Sequence, residues 1–274
     1  MLHDEVGPWS EVKLEIVRAY ASEYAKILSK QPGLEFIYID AFASSGHHVS
    51  RTSGELIPGS PQNALNVVPP FDEYHFIDID REKADALREM VGPRPDVFVH
   101  NADCNEALLE RVLPRARYGD FKRALCFVDP YGLQVEWDVI KAMGHMRSVD
   151  MFLNFPVLDM KRNVLWRRQP ELASRAQAER MTAFWGDESW REAAYQAEPN
   201  LFGDVEPTKV TDDRVAEAFR RRLLAIGGFK YAPRPIPMGE GRKVFYYLFF
   251  ASHNAVAAKI ANAIFTKYGR LGAD

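Results

Sequence analysis

Five short apolar runs, at 36–40, 74–78, 97–100, 124–128 and 149–154, alternate with stretches of helical periodicity at 63–67, 81–90, 106–113 and 137–146. Short unbroken apolar runs are what strands buried on both faces look like, and a helix after each strand makes the connections crossovers between parallel strands. That rhythm restricts the chain to an α/β fold with a doubly wound, mostly parallel, Rossmann-like sheet. A helix over 9–30 precedes the first strand. Trp9, Val12, Ile16, Ala19, Tyr20, Tyr24 and Ile27 lie near helical spacing, and Pro32-Gly33 stops it.

After Pro156 the rhythm breaks, which divides the chain into four segments. Residues 1–33 form the N-terminal helix and 34–156 the Rossmann-like core. Residues 157–205 read as a helical insertion for substrate or partner recognition, helical around 170–184. Residues 206–274 complete the core: a helix over 211–226, two strands at 229–236 and 243–250 joined by a turn at 237–241, and a closing helix over 254–267. The last two strands are expected as an antiparallel hairpin at the sheet edge.

The 274 residues are 47% hydrophobic and 12% aromatic, enough for a large buried core. A formal charge of −3 and a pI near 6.2 provide no global attraction to nucleic acid, so such binding needs a local basic face. Two cysteines, Cys104 and Cys126, without paired spacing leave no disulfide framework or zinc ribbon. No apolar run approaches the roughly 18 residues of a membrane span. The expectation is a soluble cytoplasmic protein with no membrane association.

In open α/β sheets ligands sit outside the carboxyl ends of the strands, and the strand ends here are rich in acids. The first run empties into Asp40-Ala-Phe-Ala-Ser-Ser-Gly46, the geometry of a tight ligand loop, although with one glycine where a dinucleotide fingerprint has three. Asp78 ends the second run where a carboxylate can hold a ribose diol. Asp103, after the third, could accept a hydrogen bond from an adenine amine. Helix capping is the competing reading for Asp78 and Asp80, and for Asn105.

Asp129-Pro-Tyr131-Gly132 ends the fourth run. A carboxylate here can hold an exocyclic NH₂ with its lone pair toward an electrophilic methyl while the aromatic stacks on the ring. The competing reading is a simple chain turn. Asn154-Phe155-Pro156 ends the next strand similarly and is a candidate substrate-side wall. His47-His48 lacks metal-site context, Ser44-Ser45-Gly46 lacks the nucleophile elbow, and no metal is expected. Lys161, Arg162, Arg167, Arg168, Arg175 and Arg180, interleaved with Trp166 and Trp185, could grip a phosphate backbone and stack on bases. A solvated helix face with buried Trp anchors is the commoner reading of such a pattern, and Arg220-Arg221-Arg222 carries the same ambiguity.

Taken in order, Lys13, Tyr38-Ile-Asp40-Ala-Phe42-Ala-Ser-Ser-Gly46, Gly59-Ser-Pro61-Gln-Asn-Ala-Leu65, Phe76-Ile-Asp78, Asp129-Pro-Tyr-Gly132, Asn154-Phe-Pro156 and Tyr246-Tyr-Leu-Phe-Phe-Ala-Ser-His253 resemble the three-Cys-motif partner protein (TcmP) family. The resemblance runs over most of the chain. It implies a class I S-adenosylmethionine-dependent methyltransferase and a companion protein similar to radical S-adenosylmethionine proteins. It further implies cofactor binding by Asp40, Ala41, Phe42, Gly46, Asp78 and Asp103. Asp129, Pro130 and Tyr131 would face the methyl, with Gly132, Asn154, Phe155, Arg167 and Arg168 on the substrate side. The family tends toward Phe-Ala-Gly-x-Gly, and here Ser44 stands at the first of those glycines. The Asp-Pro-Tyr-Gly run is also similar to the Asp-Pro-Phe-Gly of tRNA guanine amine methyltransferases. The activity expected is methyl transfer to an amine nitrogen of a nucleobase, RNA or DNA included. A catalytically weak, methyltransferase-like partner module is the alternative.

Overall fold

A computed structural model describes residues 3–166, 173–199, 205–241 and 243–269. At its centre lies a seven-stranded sheet. Its strands are β1 (Glu35–Asp40), β2 (Glu73–Asp78), β3 (Val97–Asn101), β4 (Lys122–Val128), β5 (Val149–Phe155), β6 (Ile236–Glu240) and β7 (Lys243–Ala251). The spatial order is β6-β7-β5-β4-β1-β2-β3. Strands β1 to β5 run parallel, β7 is antiparallel to β5, and β6 is antiparallel to β7. The mostly parallel α/β sheet matches the strand–helix rhythm of the sequence.

Both faces of the sheet are covered, which is why the strands read as continuous apolar runs. In β1, Ile37 and Ile39 point to one face and Phe36 and Tyr38 to the other, and all four are buried. The first face joins Cys126, Val128, Met151 and Leu153 to Val139, Ile140 and Met143 of the Trp137–Met146 helix and to Val215 and Phe219 of the Asp212–Ala225 helix. The second packs Phe76, Phe127, Phe152 and Phe250 against the Pro8–Leu28 helix, through Ile16, Val17 and Tyr20, and against Phe265 of the Ala255–Gly269 helix. Each such buried side chain contributes about 1.5–3 kcal/mol.

The structure corrects several boundaries. The expected strand over 229–236 is reduced to a bridge between Tyr231 and Ser252, and the expected turn at 237–241 falls largely in β6. Pro233 and Pro235 lack the N–H a ladder needs, so pairing starts at Ile236, and Pro237 is tolerated because β6 is an edge strand. The loop after Asp40 holds two strands of its own, His47–Ser50 and Leu56–Pro58, which form a small sheet with Asp4–Val6. The helix expected at 63–67 is Ser60–Leu65, started by Pro61.

The segment after Pro156 holds the helices Val157–Asn163, Arg175–Trp185 and Trp190–Ala194 and the antiparallel pair Tyr195–Pro199 with Val205–Lys209. Phe184, Trp185 and Trp190 are buried in the first core face, so these aromatics anchor the segment. Among the described residues no helix is long and apolar enough to cross a membrane.

One consequence of the strand order positions the site. The connection from β1 leads to β2 on one side, and the chain returns to β4 on the other. The crevice between the carboxyl ends of β1 and β4 is therefore the topological switch point where such sheets bind ligands. Asp40 pairs in register with Phe127, so the Asp40 and Asp129 loops leave the sheet side by side.

Candidate functional site

Outside the ends of β1, β4 and β5 lies a cavity of about 840 Å³. Phe42 and Ser44 come from the first loop, Asp129, Pro130 and Tyr131 from the fourth, and Asn154 from the end of β5. The N-terminal segment, including Asp4, Trp9 and Lys13, closes another side.

Lys13 projects from the Pro8–Leu28 helix, and its ammonium lies 2.6 Å from each oxygen of Asp129. Only 5% of Lys13 is exposed, and its ammonium also sits 4.8 Å from the centroid of the Tyr246 ring. A buried cation of this kind needs the carboxylate to replace lost hydration, and stripping either partner costs about 3–5 kcal/mol. A carboxylate offers about four acceptor positions, so Asp129 retains capacity beyond Lys13.

Asn154 donates from Nδ2 to the Pro130 carbonyl at 3.4 Å, which leaves its Oδ1 buried without a partner. Two further residues of the wall carry the same signature: Asp159 Oδ2 and His48 Nδ1 are buried and unpartnered. Each orphaned group costs about 1–3 kcal/mol, and a site that keeps three of them is built for something other than stability alone. Burial pushes the His48 imidazole below its ordinary value, so at neutral pH it stays uncharged.

Asp78 sits at the end of β2, where its Oδ2 accepts the Ser44 N–H at 2.8 Å and its Oδ1 accepts the Asp80 N–H at 2.8 Å. Burial raises its carboxyl above the ordinary value, against those two N–H groups, which lower it. The bond to Ser44 shapes the loop after β1: Ser44 has φ +53°, a left-handed conformation that glycine adopts more readily. This is the position at which the sequence departs from Phe-Ala-Gly-x-Gly. The Ser44 hydroxyl donates to Asp4 Oδ2 at 2.8 Å, a bond glycine lacks.

Asp4 is the node that the sequence did not reveal. Its carboxylate accepts from Lys83 Nζ at 2.7 and 2.8 Å, from Ser44 and from the Tyr131 hydroxyl at 2.6 Å. Burial would raise it, yet the bonds from Lys83, Tyr131 and Ser44 together hold its carboxyl below the ordinary value. Tyr131, expected as a stacking ring, is 67% exposed and tethered by its hydroxyl to the N-terminal strand.

The remaining expected site residues scatter. Asp40 lies fully buried beneath the loop, with Oδ1 accepting the Phe42 N–H at 3.3 Å and Oδ2 unpartnered. Burial pushes its carboxyl up to about 7. Ala41 is buried in the core. Gly46, at φ +85°, abuts the Arg81–Val91 helix: a Cβ there would lie 2.6 Å from Met90 Sδ, so packing explains this glycine. Asp103 is exposed and caps the Cys104–Ala107 helix through the N–H groups of Asn105 and Glu106. Gly132 gives room to Asp159, whose Oδ2 would lie 3.0 Å from a Cβ. Phe155 is a core residue packed on Phe184, Phe219 and Phe249, not a wall of the cavity.

Arg167 and Arg168 lie outside the described residues. Several of their expected companions are occupied: Lys161 pairs with Asp212 and Arg175 with Glu179, both at 2.8 Å. In the Arg220–Arg222 run, Arg220 and Arg221 pair with Glu217 and Arg222 with Asp187. Arg162 does line the cavity. Among the described residues no group of three or more His, Cys, Asp or Glu side chains could hold a metal ion.

Neither a protein-family model nor a curated protein matches the chain. Among solved structures it is similar to a Legionella pneumophila protein of the DUF519 family, at 12% identity and a TM-score of 0.40, over 78% of this chain and 93% of that one.

Proposed function

We propose that this protein is an S-adenosylmethionine-dependent methyltransferase acting on an amine nitrogen of a nucleobase or a related substrate. The observation that carries the proposal is the pair of acceptors at the ends of adjacent strands. Asp129 keeps free lone pairs, and Asn154, in the same cavity wall, has an Oδ1 with no partner among the described residues. An exocyclic NH₂ has two N–H donors, and two neighbouring acceptors match them.

The antiparallel carboxy-terminal hairpin on an otherwise parallel sheet supports the reading, as does the left-handed backbone at Ser44 where the resembling family has glycine. Asp78 fits a ribose diol because both its oxygens retain lone pairs after the two backbone bonds. Bound cofactor would supply an electrophilic methyl on a sulfonium. The chain's own residues hold the acceptor: Asp129 and Asn154 take its N–H bonds and so fix the direction of its lone pair. Once nitrogen has gained the methyl it must shed a proton, and Asp129, Asp159 and the uncharged His48 are acceptors for it within the wall. Lys13 balances the Asp129 carboxylate before and after. Holding the two reactants together is worth about 7–11 kcal/mol of barrier.

A second reading rests on Asp4, whose bonds to Tyr131, Ser44 and Lys83 tie the N-terminal strand across the site. It makes the chain a methyltransferase-like module that binds a three-Cys-motif companion or nucleic acid without turnover. Calorimetry with S-adenosylmethionine tests the cofactor part: binding that weakens in Asp78→Ala is expected, and no heat with the wild-type chain would count against the enzyme.

A further inference from the structure

We infer a second ligand site, for a phosphate monoester of nucleotide size, at the amino-terminal end of the sheet, opposite the candidate methyl-transfer site. A cavity of about 1060 Å³ opens there, against the start of β4 and β5, the end of the Pro8–Leu28 helix and the start of the Ala255–Gly269 helix. The β strands between the two cavities span about 20 Å at roughly 3.3 Å per residue, so the two sites are separate.

Three cations converge on this cavity: Arg123, Arg147 and Lys230. None is in an ion pair among the described residues. Arg123 is steered by the Lys122 carbonyl at 2.7 Å and by the Tyr118 ring 3.7 Å away, contacts that orient the guanidinium without neutralising it. The 15-residue Ala255–Gly269 helix starts at the cavity, with Asn254 and Ala255 in its wall, and so turns its positive end toward a bound anion.

An independent observation points to a ligand. The hydroxyl of Tyr24, a residue only 8% exposed and part of the cavity wall, has no partner among the described residues. Burial first, then the nearby Asp150 carboxylate, keeps that phenol protonated and hence a donor, and Arg123 is its other charged neighbour. Among the described residues Asp150 is the one acid of the wall, and both its oxygens are already engaged, by Tyr20 at 2.7 Å and Ser252 at 2.5 Å. Three cationic side chains, a helix N-terminus and an unused O–H donor against one hydrogen-bonded acid make a site for a dianion.

The size and walls favour a small molecule over a polyanion. Pockets for drug-sized ligands run to about 1,000 Å³, and Leu28, Leu224 and Phe229 line this one with apolar surface for an organic body. A nucleic-acid backbone demands an extended basic track, whereas these cations line one bounded cavity on a chain of net charge −3.

Calorimetry with the full chain tests the site, using adenosine 5′-monophosphate, adenosine, inorganic phosphate and a single-stranded RNA oligonucleotide as probes. The monophosphate is expected to bind, inorganic phosphate to compete with it, and Arg147→Gln/Lys230→Gln to weaken it by about tenfold or more. Both side chains are exposed, so the double variant should melt like the parent. If Arg147→Gln perturbs folding, Lys230→Gln alone must show the loss. Monophosphate binding that the variants leave unchanged, no monophosphate binding, or binding of the oligonucleotide alone would each overturn the inference.

Discussion

Tyr131 donates its hydroxyl to Asp4 at 2.6 Å across 127 positions of the chain, and so joins the loop after β4 to the N-terminal strand. The same carboxylate holds Ser44 and Lys83, so one side chain ties together the loops after β1 and β4 and the helix after β2. Asp4→Ala is expected to lower stability by about 2 kcal/mol at pH 7, since it removes several charge-assisted bonds. The folded-state carboxyl lies below its ordinary 3.8. Its contribution is therefore present above pH 3.8 and lost as pH falls through the folded value. Urea unfolding of both chains should show the difference at pH 7 and its shrinkage as pH falls below 3.8.

Ser44 separates two effects. Its φ of +53° penalises any Cβ by about 1 kcal/mol, while its hydroxyl adds a bond to Asp4. Ser44→Ala loses the bond and keeps the strain, whereas Ser44→Gly loses the bond and relieves the strain. The glycine variant is expected to be more stable than the alanine variant by about 1 kcal/mol. Equal thermal midpoints for the two would contradict a left-handed backbone at this position.

Asp40 gives the fold a pH dependence of opposite sign. Burial raises its carboxyl from 3.8 to about 7 in the folded chain. Between those values the folded state holds a proton that the unfolded state has released. Stability contributed by this group is therefore full below pH 3.8 and falls as pH rises to 7. Asp40→Asn is expected to flatten that decline and to raise the denaturation midpoint at pH 8 more than at pH 5. An equal shift at both pH values would contradict it.

The central sheet was legible because each parallel strand is a compact apolar run with punctuation after it, and five of them set the topology. The carboxy-terminal edge hairpin is legible too, but its first strand lies at 236–240 and not at 229–236, because apolar content alone ignores the missing N–H groups of Pro233 and Pro235. Asp129 could be singled out from its place at a strand end, but its partner Lys13 lies 116 positions away, and no local pattern encodes that pairing. Asp4 escaped for a similar reason: a three-residue strand carries no periodicity. Phe155 illustrates the period of two, since successive strand residues face opposite ways. Asn154 turns to the cavity and its neighbour to the core.

Transfer of labelled methyl from S-adenosylmethionine to pools of tRNA, ribosomal RNA and DNA tests the central claim most directly. The wild-type chain is expected to label one pool, with incorporation reduced by about 100-fold or more in Asp129→Ala and by about tenfold in Asn154→Leu. Cofactor affinity should be unchanged in the Asn154 variant. Label that persists in Asp129→Ala, or its absence from every pool with a chain that binds the cofactor, would contradict the assignment.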